Sequence, residues 1–226
     1  MRPLRRLVVI LVVVGLLAVV GDRVAARFAA NEAQRRLVAA GLTSPQVDVR
    51  GFPFLTQLLA RRFDDVRVTT SSVKIGTGSA DQVTGTARDV QVPSSGPATV
   101  GRLTARGTIP YAEVLQAVGH SGLRLRSAGS GQVQLQQRVS VLGRTYDVVA
   151  RGRVEAKGDR LLVSPAAFNL AGGGALDQRL ADLIAGDFTF SYRIRGLPAG
   201  VQIDRITPVR DGFVLDASGR DVRLST

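Results

Sequence analysis

The sequence predicts an α+β fold built on antiparallel sheet, and three observations predict it. From Gln46 onward apolar residues recur at every second position, glycine-bearing turns separate these runs, and few helical stretches interrupt them. Parallel crossover units, which need a long connection between paired strands, are not visible.

The first element is helical. Leu7 to Val20 reads LVVILVVVGLLAVV behind Arg2, Arg5 and Arg6, the pattern that export machinery recognises, with the arginines kept in the cytoplasm and everything after Gly21 outside. A helix over this run rises about 21 Å, short of the roughly 30 Å hydrocarbon core. It therefore reads either as a signal peptide, for which Val24-Ala25-Ala26 is a weak cleavage match, or as an uncleaved anchor with Leu4 added and Arg5, Arg6 and Arg23 snorkelling. Residues 1–23 form this segment and residues 24–226 a single extracytoplasmic domain. The expected location is the outer face of the cell membrane, or the periplasm-like space if the segment is cleaved.

Val24 to Ala40 continues as an alanine-rich helix that Gly41 ends, a spacer or a helix packed on the sheet. Strands follow. Val47 and Val49 alternate with Gln46, Asp48 and Arg50, Val66 and Val68 with Asp65 and Arg67, and Val90 and Val92 flank Gln91. Pro110 opens a short helix and Gly119 stops it, with Val114, Leu115 and Val118 on one side. In Gln132 to Val141 one face carries Val133, Leu135, Val139 and Val141, and Gly143 turns the chain into a partner strand with Tyr146, Val148, Ala150, Gly152 and Val154. Asp177 to Ala185 is a second short helix with Leu180, Leu183 and Ile184 inward. Phe188, Phe190, Tyr192 and Ile194 make another apolar face, and Val201, Ile203, Phe213, Leu215 and Ala217 close the chain as a meander across Asp211-Gly212. Asp-Val recurs after a charged residue at Asp65-Val66, Asp89-Val90 and Asp221-Val222, which reads as a repeated strand start.

Composition narrows function. The 226 residues are 45% hydrophobic, enough for a sizeable core, and contain no cysteine, which removes disulfides, thiolate metal sites and cysteine nucleophiles. Thirty basic residues against 18 acidic ones give a net charge of +12, and only Lys74 and Lys157 are lysines. Guanidinium suits bidentate contact with phosphate. Export and the lack of interleaved aromatics argue against nucleic acid, which leaves phospholipid headgroups and phosphorylated envelope glycans as partners.

Catalytic chemistry is sparse. The sole histidine, His120, stands in Gly119-His120-Ser121-Gly122, which lacks G-x-S-x-G spacing and reads as a turn. Asp64-Asp65 lies on a strand, where neighbours point to opposite faces. Neither a dense carboxylate set nor a histidine cluster suggests a metal, no cofactor is implied, and the chain is expected not to be an enzyme, an atypical hydrolase being the alternative.

The most distinctive segment is Gly51-Phe52-Pro53-Phe54-Leu55-Thr56-Gln57-Leu58-Leu59 with Phe63-Asp64-Asp65-Val66-Arg67-Val68 after it. It resembles the signature of the LmeA-like family of actinobacterial cell-envelope proteins, as do Gly196 to Val201, Asp211-Gly212 and Gly219 to Leu224 near the end. That resemblance implies a tubular, BPI-like lipid-binding fold: a curved antiparallel sheet wrapping around helices into an elongated tube. It implies phospholipid binding and a part in mannan-type lipoglycan maturation. The expected ligand is an anionic phospholipid, phosphatidylinositol-like lipid among the candidates, held in an apolar groove. Phe52, Phe54, Leu55, Leu58 and Leu59 line or gate that groove, with Arg61 and Arg62 at its mouth for the phosphate. The alternative is a scaffold whose basic surface docks envelope glycosyltransferases or the membrane itself.

Overall fold

A computed structural model of the chain describes residues 2–75, 78–120, 122–141, 143–174 and 176–224, with the backbone alone for residues 2–20 and 75. In chain order the elements are α1 (Arg2–Ala39), β1 (Leu42–Thr43), β2 (Gln46–Arg50), α2 (Phe54–Ala60), β3 (Arg62–Ile75), β4 (Gly78–Gln91), β5 (Ala98–Pro110) and α3 (Tyr111–Val118). There follow β6 (Arg124–Gly129), β7 (Gln132–Val141), β8 (Arg144–Lys157), β9 (Arg160–Leu170), α4 (Gln178–Ile184), β10 (Phe190–Arg193), β11 (Val201–Pro208) and β12 (Gly212–Leu224), with a 3₁₀ turn at Ala185–Phe188. The α+β class is as the sequence predicts.

α1 ends where expected: Gly41, at φ +92°, donates its N–H to the Val38 carbonyl. Its half-buried residues Ala26, Ala29, Ala33 and Leu37 recur at helical spacing, and the elements it packs on are β1, β2 and α2. Among the described side chains no helix is long and apolar enough to cross a membrane, and the sequence-predicted span Leu7–Val20 lies outside them.

The strands form two open antiparallel sheets rather than one wrapping sheet. A seven-stranded sheet has the order β1-β3-β4-β5-β12-β11, with β2 also on β3; a five-stranded sheet has the order β10-β9-β8-β7-β6. The closing hairpin therefore does not extend a meander from β10. β11 and β12 leave the second sheet, and β12 pairs with β5 from Gly212↔Pro110 to Leu224↔Ala98. Alternation in a sequence marks the face of a residue but not the neighbouring strand, and this pairing has no local signal.

The main core lies between the second sheet and one end of the first. Val133, Leu135, Val148, Leu161, Val163 and Phe188 meet Ile109, Val114, Ile203, Ile206 and Phe213. Pro110 and Gly119 bound α3 as predicted, and the Asp177 carboxylate caps α4 by accepting from the Arg179 and Leu180 N–H groups. One expectation for α4 fails: Ile184 is buried, but Leu183 is 70% exposed and Ala181 takes the inward position. Three to four residues per turn allow only part of an LxxLI cluster to face one sheet.

The Asp-Val repeats are not strand starts. Asp65, Asp89 and Asp221 lie inside β3, β4 and β12, and the last two adopt φ near +50°. These left-handed residues invert the pleat. The inward residues of β4 run Val83, Gly85, Ala87 and then Val90, and those of β12 run Phe213, Leu215, Ala217, Gly219 and then Val222. β5, between them, makes the same phase change from Leu103 to Val100 around Gly101. The inversion brings Val90, Val100 and Val222 together as a second, smaller core with Phe63, Val66 and Leu103. A Cβ on Gly101 would stand 3.0 Å from that of Asp89, so a side chain there would obstruct the kink.

Two predictions concern this frame. A Cβ on Gly219 would lie 2.7 Å from the Gly200 carbonyl oxygen and 2.6 Å from Val222 Cγ2, so Gly219→Ala is expected to lower unfolding free energy by about 1–3 kcal/mol in urea titrations. Tyr111 is buried with its hydroxyl donating to the Val209 carbonyl at 2.7 Å. Burial, with the charge of Asp211 adding to it, pushes its pKa from 10.0 up to about 12. Because the folded value is the higher one, this stabilisation is complete below the unfolded value and is lost as pH rises through the folded value. Urea midpoints are expected to fall across that interval. Tyr111→Phe should flatten the fall while costing about 1 kcal/mol at neutral pH for the lost hydrogen bond.

Candidate functional site

Between its two cores the inner face of the large sheet carries a strip of which only Ile203, at its edge, belongs to a core. Pairing aligns Val47, Val68, Gly85, Ala105, Ala217 and Ile203 in one cross-strand row over six strands. At about 4.8 Å per strand the row runs about 24 Å across the sheet. Its central members are the smallest, and Val68, Gly85, Ala105 and Ala217 are half-buried. A Cβ on Gly85 would meet nothing nearer than the Thr104 carbonyl oxygen at 4.0 Å, in contrast to the crowding at Gly101 and Gly219.

Larger residues flank the row. Toward the smaller core the next row includes Val49, Val66 and Leu103; toward the main core stand Val83, Leu215 and Ile206. The outcome is a shallow apolar trough with a small-residue floor, its borders bulky at Val66, Leu103, Val83 and Leu215 and broken by Ala87, Gly219 and Gly107. Sequence reasoning missed it, though a signal exists. Thr84-Gly85-Thr86-Ala87, Thr104-Ala105-Arg106-Gly107 and Asp216-Ala217-Ser218-Gly219 each alternate polar with small residues, where a packed sheet face would carry Val or Ile.

The seven sequence-predicted site residues stand elsewhere, on and around α2. Phe54 is buried against Phe63 with ring centroids 6.2 Å apart. Phe52, Leu55, Leu58 and Leu59 are exposed, Leu59 to 86%. Arg61 caps the helix in the left-handed conformation, and Arg61 and Arg62 both face solvent. The inward side of α2 is completed by Gln57, whose side-chain oxygen accepts the Asp64 N–H at 3.0 Å. A second tie fixes the start of the helix: Asp22 of α1, 2% exposed, accepts the Leu55 N–H at 2.7 Å. Arg23 lies 5.9 Å over the Phe52 ring.

A further cleft of about 440 Å³ is lined by Val118, His120, Phe190, Tyr192, Arg193 and Arg195. Burial, with the charge of Glu113, raises the Tyr192 pKa, and the Arg193 hydrogen bond holds Asp159 below the usual carboxylate range. His120 follows the Gly119 cap, 5.8 Å from the Phe190 ring. Among the described residues no group of three His, Cys, Asp or Glu is placed to hold a metal ion.

The model of the LmeA-like phospholipid-binding family matches residues 20–218. The chain belongs to that family. Comparison with curated proteins returns no match. The family match spans α2, the whole five-stranded sheet and the whole small-residue row, and ends within β12.

Removing the Asp22 carboxylate isolates its role. Asp22→Ala is expected to speed amide exchange over α2 about tenfold, the equivalent of one hydrogen bond of about 1.4 kcal/mol, while amides of β8 and β9 keep their protection. Hydrogen-exchange mass spectrometry reads both.

Proposed function

We propose that this chain is an extracytoplasmic carrier of anionic phospholipid, attached to the outer face of the plasma membrane by Leu7–Val20 or released there after cleavage. The observation that carries the reading is the Val47–Val68–Gly85–Ala105–Ala217–Ile203 row. An extended acyl chain of sixteen to eighteen carbons is about as long as this row, and an apolar floor without side-chain obstruction lets it lie flat. The large sheet then acts as one wall of an elongated, half-open tube, and the excess of basic over acidic residues beyond Arg6 favours an anionic headgroup.

Arg61 and Arg62 take a different part from the mouth of this trough. Arg62 precedes Val68 by six residues on β3, which is about 20 Å of strand. They suit headgroups at the bilayer surface better than the phosphate of a lipid seated in the row. Carriage requires no covalent step, so the chain is read as a non-enzymatic partner in envelope lipid or lipoglycan maturation. That last role is supported by the family resemblance alone.

Native mass spectrometry of the full chain extracted from membranes tests the reading, and the mass of the ligand gives its headgroup. One phospholipid per chain is expected. Gly85→Trp should fill the floor and abolish the lipid adduct, with a thermal midpoint near that of the parent because the indole enters open space. A parent protein that carries no lipid, or a Gly85→Trp variant that carries it undiminished, overturns the proposal and favours the scaffold reading.

A further inference from the structure

α2 has its polarity reversed for a helix on a water-soluble surface. Its inward positions are Phe54 and the hydrogen-bonded Gln57, while Leu55, Leu58 and Leu59 form an outward stripe at i, i+3 and i+4 that Phe52 extends. The position of this stripe is fixed. Asp22 holds the first turn of α2, and Asp22 stands only two residues beyond Val20, the end of the apolar run. At 1.5 Å per residue that is about 3 Å along α1. The headgroup zone of a bilayer is about 5–7 Å deep on each side. The first turn of α2, tied at Asp22, therefore lies within that zone when Leu7–Val20 occupies the hydrocarbon. Arg23, seated over Phe52, and Arg61 and Arg62 at the far end of α2 place cations at both ends of the stripe.

We infer that α2 is a membrane-embedded foot: Phe52, Leu55, Leu58 and Leu59 insert among the headgroups of an anionic bilayer, with Arg23, Arg61 and Arg62 bound to their phosphates. The occupant of this apolar face is lipid, and the inference rests on the proposed attachment through Leu7–Val20. It adds a second contact that sets the orientation of the sheet. A chain held by α1 alone would swivel, whereas a chain held by α1 and α2 presents the α2 end of β3 to the membrane.

The absence of cysteine allows single-site labelling of the full chain. Leu59→Cys carries an environment-sensitive fluorophore, and Leu183→Cys, also highly exposed but on α4, serves as the control. Both proteins are reconstituted in phosphatidylglycerol–phosphatidylcholine vesicles with and without lipids spin-labelled near the headgroup. The expected result is a blue-shifted Leu59 label that the spin-labelled lipid quenches strongly, and an aqueous, unquenched Leu183 label. Replacing Arg61 and Arg62 by Gln should reduce the quenching at Leu59. Protein that floats with the vesicles while its Leu59 label stays aqueous overturns the foot and leaves the attachment through Leu7–Val20 standing. Protein that does not float overturns both.

Discussion

The pairing of β12 with β5 is the constraint on which the other features depend. β5 is the centre of the large sheet, flanked on one side by β4, its neighbour in sequence, and on the other by the last strand of the chain. Everything from α3 to β11 is inserted between these partners. The insertion leaves at Pro110 and returns beside it: Tyr111 N–H donates to the Asp211 carbonyl, and the Tyr111 hydroxyl reaches the Val209 carbonyl. Closing so long a segment carries an entropic cost that rises only slowly with length. A ladder of backbone hydrogen bonds and a shared apolar core offset it. The Arg106–Asp216 ion pair across the same strands, at 3.0 Å and largely solvated, contributes little by comparison.

On the proposed reading that pairing has a functional consequence, because it decides which small residues stand together. Gly85 and Ala105 lie opposite each other on adjacent strands, but Ala217 joins them only when β12 docks in its observed register. Glycine and alanine in the middle of a strand weaken it, since they pack little and order more backbone for their size. A sheet shaped for stability alone would place β-branched residues along this row, as it does on either side with Val66 and Val83. The pleat inversion at Asp89, Gly101 and Asp221 belongs to the same economy of shape. It turns three valines inward to close the far end of the sheet and so separates the trough from a second core rather than leaving one flat apolar face.

Much of this was legible locally. The helix between Pro110 and Gly119, the Asp177 cap, the hairpin at Gly143 and the turn at Asp211-Gly212 all follow from residues a few positions apart, where backbone sterics and capping act. The division into two sheets follows from contacts between residues a hundred positions apart, which period-two alternation does not encode. The same limit applies to the site. Phe52 to Leu59 reads as groove lining because apolar residues ordinarily face inward, yet on α2 only Phe54 and Gln57 do. The row through Gly85 reads as three unrelated stretches of small and polar residues until the register joins them.

The two apolar surfaces are connected, and the connection bears on how a lipid could move between them. Exposing a methylene group to water costs about 0.8 kcal/mol, so a sixteen-carbon chain crossing an aqueous gap would face a barrier of about 12 kcal/mol. Apolar residues of β3 span that interval, passing through the smaller core that closes this end of the sheet. Phe54 of α2 packs on Phe63, Phe63 and Val66 share the smaller core, and Val66 adjoins Val68 on the same face of β3. From the foot of the molecule to the floor of the trough the apolar residues are contiguous along one strand. On the reading proposed here, the rigid tie of α2 to α1 through Asp22 matters because it keeps the lower end of that strand at the bilayer surface, where an acyl chain can leave the membrane without entering water.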